Sequence, residues 1–326
     1  MLVIAASIAS SADTSPTARR DKTLAKVNAC IRRNEVSSRQ CRKLDEHLKT
    51  LIEVYQGGDK SVLPTLFRFT YLTDFYGDAL IADPYTFLTN MAQLSKENQL
   101  AVARGVSGGM FRLRSRERFE AVRVLLMGIP DSFPAKETAR ACLKALETNN
   151  ASLFVNYFPP QAFTSRAADF QLYWYSRDMY ALGEKPLWPT SSTSPTSYRF
   201  THLGAFTDPQ VATLTVHPDG TGRIAIRTVT EDWEATSVDE VATIPQDQLA
   251  RFFTRLDDAH FWEMPTELSS RGLDGAEWIL EGVRDGRYHA VVRWCPDAAQ
   301  HAEESAFADA GRLLFELAGH KHPGCC

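Results

Sequence analysis

The chain has 326 residues, 44% hydrophobic and 23% charged, and sets 36 Lys+Arg against 40 Asp+Glu for a net charge of −4. That composition excludes a wholly disordered chain, a collagen-like fibre and a disulfide-dense miniprotein, and no apolar run approaches the roughly 18 residues of a membrane-spanning helix. The length exceeds what one core usually supports, which predicts two domains.

Charge is unevenly spread. Residues 13–50 carry ten Lys/Arg and five Asp/Glu, net +5; residues 51–197 carry fifteen and fourteen, net +1; residues 198–326 carry eleven and twenty-one, net −10. A segment as acidic as the last repels a phosphate backbone, so nucleic acid is excluded as its partner. The basic stretch with Arg19, Arg20, Arg32, Arg33, Arg39, Arg42 and Lys43 reads as a solvated helical face.

In chain order, residues 1–12 (MLVIAASIASSA) read as a possible signal-peptide remnant: an apolar core with Ser10 and Ala12 at a small-residue cleavage site. No basic residue precedes Arg19. This predicts a periplasmic or secreted protein, with a cytoplasmic one as the alternative. Cys30 and Cys41, ten residues between them, sit in two helical patterns joined by the polar stretch 34–38, and an exported chain would staple that hairpin with a disulfide. Cys142 and Cys295 read as buried thiols.

From residue 13 to 188 the apolar period is helical. It shows in Leu44/Leu48/Leu51/Val54, Leu63/Leu66/Phe67/Tyr71/Phe75 and Phe119/Val122/Leu125/Leu126, and predicts further helices over 85–94, 96–107, 136–148 and 161–181. Breaks fall at Gly57-Gly58, Asp83-Pro84, Gly108-Gly109 and Ile129-Pro130. An irregular α-helical domain, HEAT-like or a bundle, follows. Gly105-Val106-Ser107-Gly108-Gly109 matches the nucleophile-elbow spacing, but the residues before it are helical, so it reads as a glycine-rich helix end. Tyr173, Trp174, Tyr175 and Trp188 form an aromatic belt suited either to packing or to stacking on a ligand.

Residues 189–197 (PTSSTSPTS) cannot build a core and read as a Ser/Thr/Pro linker. Beyond it the period becomes two. Residues 211–216 and 222–227 flank Asp219-Gly220, and 277–281 and 288–294 flank Asp285-Gly286, so each pair predicts a hairpin. A three-residue loop separates charged from apolar faces best in both. In the second hairpin it puts Glu277 opposite Arg293, and Glu281 opposite His289. Amphipathic helices follow at about 246–258 and 303–318, and strands at 198–206 and 235–243 extend the sheet. The fold class is therefore α+β and two-domain. Residues 198–319 form an acidic domain with an antiparallel sheet and two helices on one face, a degenerate ββα duplication, and 320–326 is a tail.

The order of strand, Asp-Gly turn, strand, Ile244-Pro245 and a helix ending in Phe261-Trp262, then Asp274, a second hairpin and a last helix resembles small exported bacterial domains of unknown function, over about 200–319. The helical half resembles uncharacterised bacterial proteins. The resemblance implies export and carries no activity.

Three clusters remain. Glu277, Glu281 and His289 are candidate acid/base groups on an open sheet face, with cross-strand charge pairing as the structural alternative. Asp257, Asp258 and His260 are metal-type ligands crowded at a helix end. The tail's His320, His322, Cys325 and Cys326 lack a second ligand pair at zinc spacing. Phosphate loops, Rossmann fingerprints and zincin motifs are absent from the sequence, and no cofactor is implied. The reading that follows is a non-enzymatic exported protein that binds a protein or small ligand. Its rivals are a hydrolase or transferase with a site between the domains, and a cytoplasmic helical scaffold.

Overall fold

A computed structural model describes residues 15–33, 43–69, 72–107, 116–165, 167–229, 235–268, 274–296 and 302–321. The chain forms two compact units, Met1–Leu146 and Glu147–Cys326. Residues 1–12 and Cys41, on which the signal and half of the predicted disulfide rest, lie outside the described residues.

The first unit is helical throughout its described residues: α1 Pro16–Arg33, α2 Leu44–Gln56, α3 Leu63–Leu66, α4 Thr73–Ala82, α5 Pro84–Met91, α6 Lys96–Ser107, α7 Arg116–Met127 and α8 Lys136–Asn149, the last running into the second unit. The predicted periodicity is the buried one, since Leu44, Leu48 and Leu51 of α2 face inward against α1. The Asp83-Pro84 break works as a cap: Asp83 accepts the Thr86 N–H at 3.2 Å, and Pro84 takes the first-turn position that needs no donor. Phe67, Tyr76 and Phe87 interlock, with Phe67 and Phe87 edge-to-face at 5.0 Å. The residues of the G-x-S-x-G stretch up to Ser107 are helical, as the helix-end reading expects, and Gly108 and Gly109 lie outside the described residues.

The second unit holds α9 Ala168–Ala181 and a six-stranded antiparallel sheet: β1 Ser197–Gly204, β2 Gln210–Val216, β3 Gly222–Val229, β4 Ala235–Ile244, β5 Ala276–Arg284 and β6 Arg287–Trp294. Helices α10 Gln246–Asp258 and α11 Ala302–Leu317 complete it. Strand order is β4-β3-β2-β1-β5-β6, which puts β1 at the centre between β2 and β5. The helix predicted over 161–181 starts at Ala168, and before it the N–H groups of Thr164 and Ser165 donate to the Glu267 carboxylate, at 2.8 and 3.3 Å.

One face of this sheet carries Tyr198, Phe200, Ala212, Leu214, Ile224, Ile226, Trp278 and Leu280 against Leu249, Phe252 and Leu256 of α10 and Phe307, Leu314 and Phe315 of α11. That is the predicted layer. The opposite face was expected to be open, and it is covered. Leu203, Ile279 and Val292 pack on Tyr157, Phe158, Phe163, Tyr175 and Met179, and Val211 and Val229 pack on Ala181 and Leu182. Strand β5 is consequently buried from Ala276 to Val283. Segment 189–197, read as a linker between domains, lies inside the second unit, and Thr190 Oγ1 donates to the Gly286 carbonyl at 2.6 Å.

The two Asp-Gly turns differ. In the first, Val216 pairs with Gly222 and the His217 N–H reaches the Thr221 carbonyl at 2.8 Å, leaving the three-residue loop that was predicted, with Gly220 at φ +79°. In the second, Arg284 pairs with Arg287 around a two-residue loop, with Asp285 at φ +53° and Gly286 at φ +74°, the type I′ signature. The cause is the residue before the Asp. Pro218 has no N–H and cannot close a ladder, so it is pushed into the loop, whereas Arg284 donates normally. The predicted three-residue register for β5–β6 is therefore off by one, and the slip transfers every β6 side chain to the other face.

Candidate functional site

The register decides what the polar residues can do. Glu281 pairs across β1–β5 with Arg199, while His289 pairs with Gly282 and Arg293 with Trp278. Side chains alternate along a strand, so Glu277 and Glu281 share the α9 face while His289 and Arg293 share the α10/α11 face. The proposed set Glu277/Glu281/His289 is split by the sheet itself.

Glu281 and Arg199 are both fully buried. Arg199 Nε donates to Glu281 Oε2 at 2.7 Å, and Nη2 lies 2.6 Å from the same oxygen. Arg199 Nη1 donates to the Lys185 carbonyl at 2.6 Å and to Glu184 Oε2 at 3.3 Å. The other Glu281 oxygen accepts the Tyr288 hydroxyl at 2.9 Å. Glu184 also accepts from Thr213 Oγ1 at 3.1 Å and pairs with Arg227. Two guanidiniums and two carboxylates thus balance in one row across β3, β2, β1, β5 and β6, which is the condition for tolerating buried charge. Burial pushes the Glu281 carboxyl above the usual carboxylate range, against the pull of Arg199 and Tyr288. Burial likewise drives the Tyr288 phenol well above its ordinary value.

On the opposite face, His289 Nε2 sits 3.0 Å from the Met264 carbonyl, which fixes that nitrogen as the donor. Its ring lies 5.1 Å from Phe261 and 6.2 Å from Trp262, and burial lowers its pKa below that of a free histidine. Glu277 lines a small cavity of about 30 Å³ with Glu267, Arg293, Trp294 and Glu304, where Arg293 Nε donates to Glu304 at 2.7 Å.

The other candidates disperse. Asp257, Asp258 and His260 are exposed at the end of α10, and Asp258 lies 3.6 Å from Arg255. Among the described residues no group of three His, Cys, Asp or Glu is placed to hold a metal ion. Tyr173 and Tyr175 are buried, Trp174 and Trp188 half-buried, and Tyr175 stacks edge-to-face with Phe158 and Phe163 beneath the sheet. Trp174 and Tyr175 thus pack within the second unit. Cys142 is a buried free thiol, its pKa pushed by burial to about 12. Cys295, read as a thiol, is disulfide-bonded, and so is Cys30.

An exposed cluster at the β5–β6 tip went unread in the sequence. Arg284 and Arg287 are the closing pair of the hairpin, both exposed, and each guanidinium carbon lies 5.1 Å from the centre of the Trp262 ring. Arg287 Nη2 donates to the Trp262 carbonyl at 2.7 Å. Like charges opposed on neighbouring strands repel, and here one indole ring offsets the repulsion by cation–π contact with both. The available signal was the spacing itself: Arg-Asp-Gly-Arg around a two-residue turn, after an aromatic pair.

Comparison with known protein families, with curated proteins and with solved structures finds no match for the chain.

Proposed function

We propose that the chain is an exported, non-enzymatic binding protein whose second unit presents the ligand or partner site. The observation that carries this reading is the commitment of the most reactive-looking groups to internal partners. Glu281 is held by Arg199 and Tyr288 and His289 by Met264 on the far side of the sheet, while Arg284 and Arg287, exposed at the hairpin tip, have no ion pair among the described residues. Export is supported by the disulfide-bonded Cys30 and Cys295, since such bonds persist in oxidising compartments.

The test is thiol trapping in the cells that make the protein. Rapid alkylation followed by mass spectrometry should find Cys142 modified once the fold is opened, with Cys30 and Cys295 protected until reduction. Alkylated Cys30 and Cys295 in a protein confined to the cytoplasm would overturn the export half. Turnover in a hydrolase and transferase screen that H289A abolishes, with the fold intact, would overturn the non-enzymatic half.

A further inference from the structure

We infer that the tip of the β5–β6 hairpin is an oxyanion-binding site, and that its ligand is a small molecule bearing a single phosphate or carboxylate group. The inference rests on the binding-protein reading and names the chemistry of its ligand. Three observations carry it.

The first is geometric. Cross-strand partners in the closing pair of a hairpin stand about 5.5 Å apart at Cα, so Arg284 and Arg287 emerge side by side from the face of the sheet that holds Trp262. Both guanidiniums lie 5.1 Å from that one ring. A guanidinium resting on an aromatic ring loses little freedom on binding and keeps its in-plane N–H fork for a planar or tetrahedral oxyanion.

The second is an imbalance of donors over acceptors. Among the described residues neither arginine has an ion pair; Arg287 donates to the Trp262 carbonyl and Arg284 lies beside the Tyr198 hydroxyl. Trp262 is itself more than nine-tenths buried, and its indole Nε1–H has no hydrogen-bond partner among the described residues. The side chains resting on the Trp262 ring present donors, while the exposed Asp285 carboxylate of the turn stands between the two arginines in sequence. The complement of those donors is a group that only accepts, and an oxyanion is that group.

The third is the surrounding charge. Residues 198–326 are net −10, which repels a polyanion at distances up to the screening length of about 8 Å. A polyphosphate backbone or an anionic membrane surface is disfavoured on that ground, while one compact oxyanion can reach two arginines at contact distance. The segment beside the tip adds further polar donors. Thr190 is fixed to the Gly286 carbonyl, and Ser191 and Ser194 form a hydroxyl-bonded turn next to it.

Titrating the full-length oxidised protein with inorganic phosphate, and separately with acetate, tests this by calorimetry and by tryptophan fluorescence. Saturable binding is expected in the millimolar range or tighter, with a fluorescence change that W262F removes. R284Q and R287Q should each weaken binding about tenfold, the value of one charge-assisted contact, and R284K/R287K should recover part of the loss through charge without the fork. Vesicles of anionic phospholipid form the contrasting arm. Binding to vesicles but not to free phosphate or acetate would overturn the small-ligand assignment. Wild-type protein that binds none of the three, or binding equally strong in the folded R284Q/R287Q double variant, would overturn the site. The outcome is independent of thiol trapping: a protein found in the cytoplasm could still bind phosphate here, and an exported one could fail to.

Discussion

The two faces of the six-stranded sheet are built on different principles. Adjacent residues of β1 show the contrast: Phe200 points into an apolar layer closed by α10 and α11, while Arg199 points into an equally buried layer closed by α9 and the residues around it. On the first face any well-packed set of hydrophobes would serve. On the second, Arg199 is worth its place only while Glu281 and Glu184 are there to meet it. Packing tolerates approximate substitution, whereas a buried ion row tolerates removal of a balanced pair better than removal of one member.

The contrast is broken most sharply by single substitutions in β1. R199M strands the buried Glu281 carboxylate and should cost about 3–5 kcal/mol in urea denaturation of the full chain. F200A opens a cavity on the other face and should cost a similar amount, about 3–5 kcal/mol. The two differ in pH dependence. Because burial raises the Glu281 pKa, the penalty of R199M should shrink as the pH falls and the stranded carboxylate takes up a proton, while that of F200A should stay flat.

A smaller effect separates the two turns. Both Gly220 and Gly286 have positive φ, so alanine is strained at either, at a cost of about 1–3 kcal/mol. At Gly220 the added methyl meets the movable end of Gln246, whereas at Gly286 it meets the backbone of Ser191 and Ser192 at 3.2–3.3 Å. G286A should therefore lower the melting temperature more than G220A. Equal shifts would show that segment 189–197 is not held against the tip.

The smallest effect is the titration of His289. Its folded pKa lies below the unfolded value of about 6.5, so the unfolded state binds more protons and stability is lost as the pH falls below that value. Melting temperatures measured from pH 7.5 down to 5 should fall more steeply for the native chain than for H289Q, which retains a donor for the Met264 carbonyl.

These differences also explain what could be read from the sequence. The α10/α11 face was legible because Leu249, Phe252 and Leu256 repeat at helical spacing and Ala212, Leu214, Ile224 and Ile226 alternate at strand spacing, both local patterns. The other face was not. Alternation in β5 was taken to mean one wet side, but Ile279 and Glu281 are buried as thoroughly as Trp278 and Leu280, and Glu277 is buried too. Ile279 is covered by Tyr157, Phe158 and Phe163 together with Tyr175 and Met179 of α9, joined to the sheet by contacts across a hundred residues that no local pattern records. The same error set the register: with one face assumed open, the cleaner charge segregation favoured a three-residue loop, and the missing N–H of Pro218 marked only the first turn as the one that needs it. Arg199 lay in plain view in Tyr198-Arg199-Phe200. Its counter-ions, 15 and 82 positions away, did not.

The claim on which most depends is that Glu281 is the internal counter-ion of Arg199 and not an acid or base at an open surface. A double-mutant cycle of R199M and E281L, measured by urea denaturation at pH 7 in the full-length chain, tests it directly. A coupling energy of about 2–3 kcal/mol is predicted, with the double variant well above R199M in stability. Effects that add to within about 0.5 kcal/mol would contradict the account and return Glu281 to the list of residues free to do chemistry.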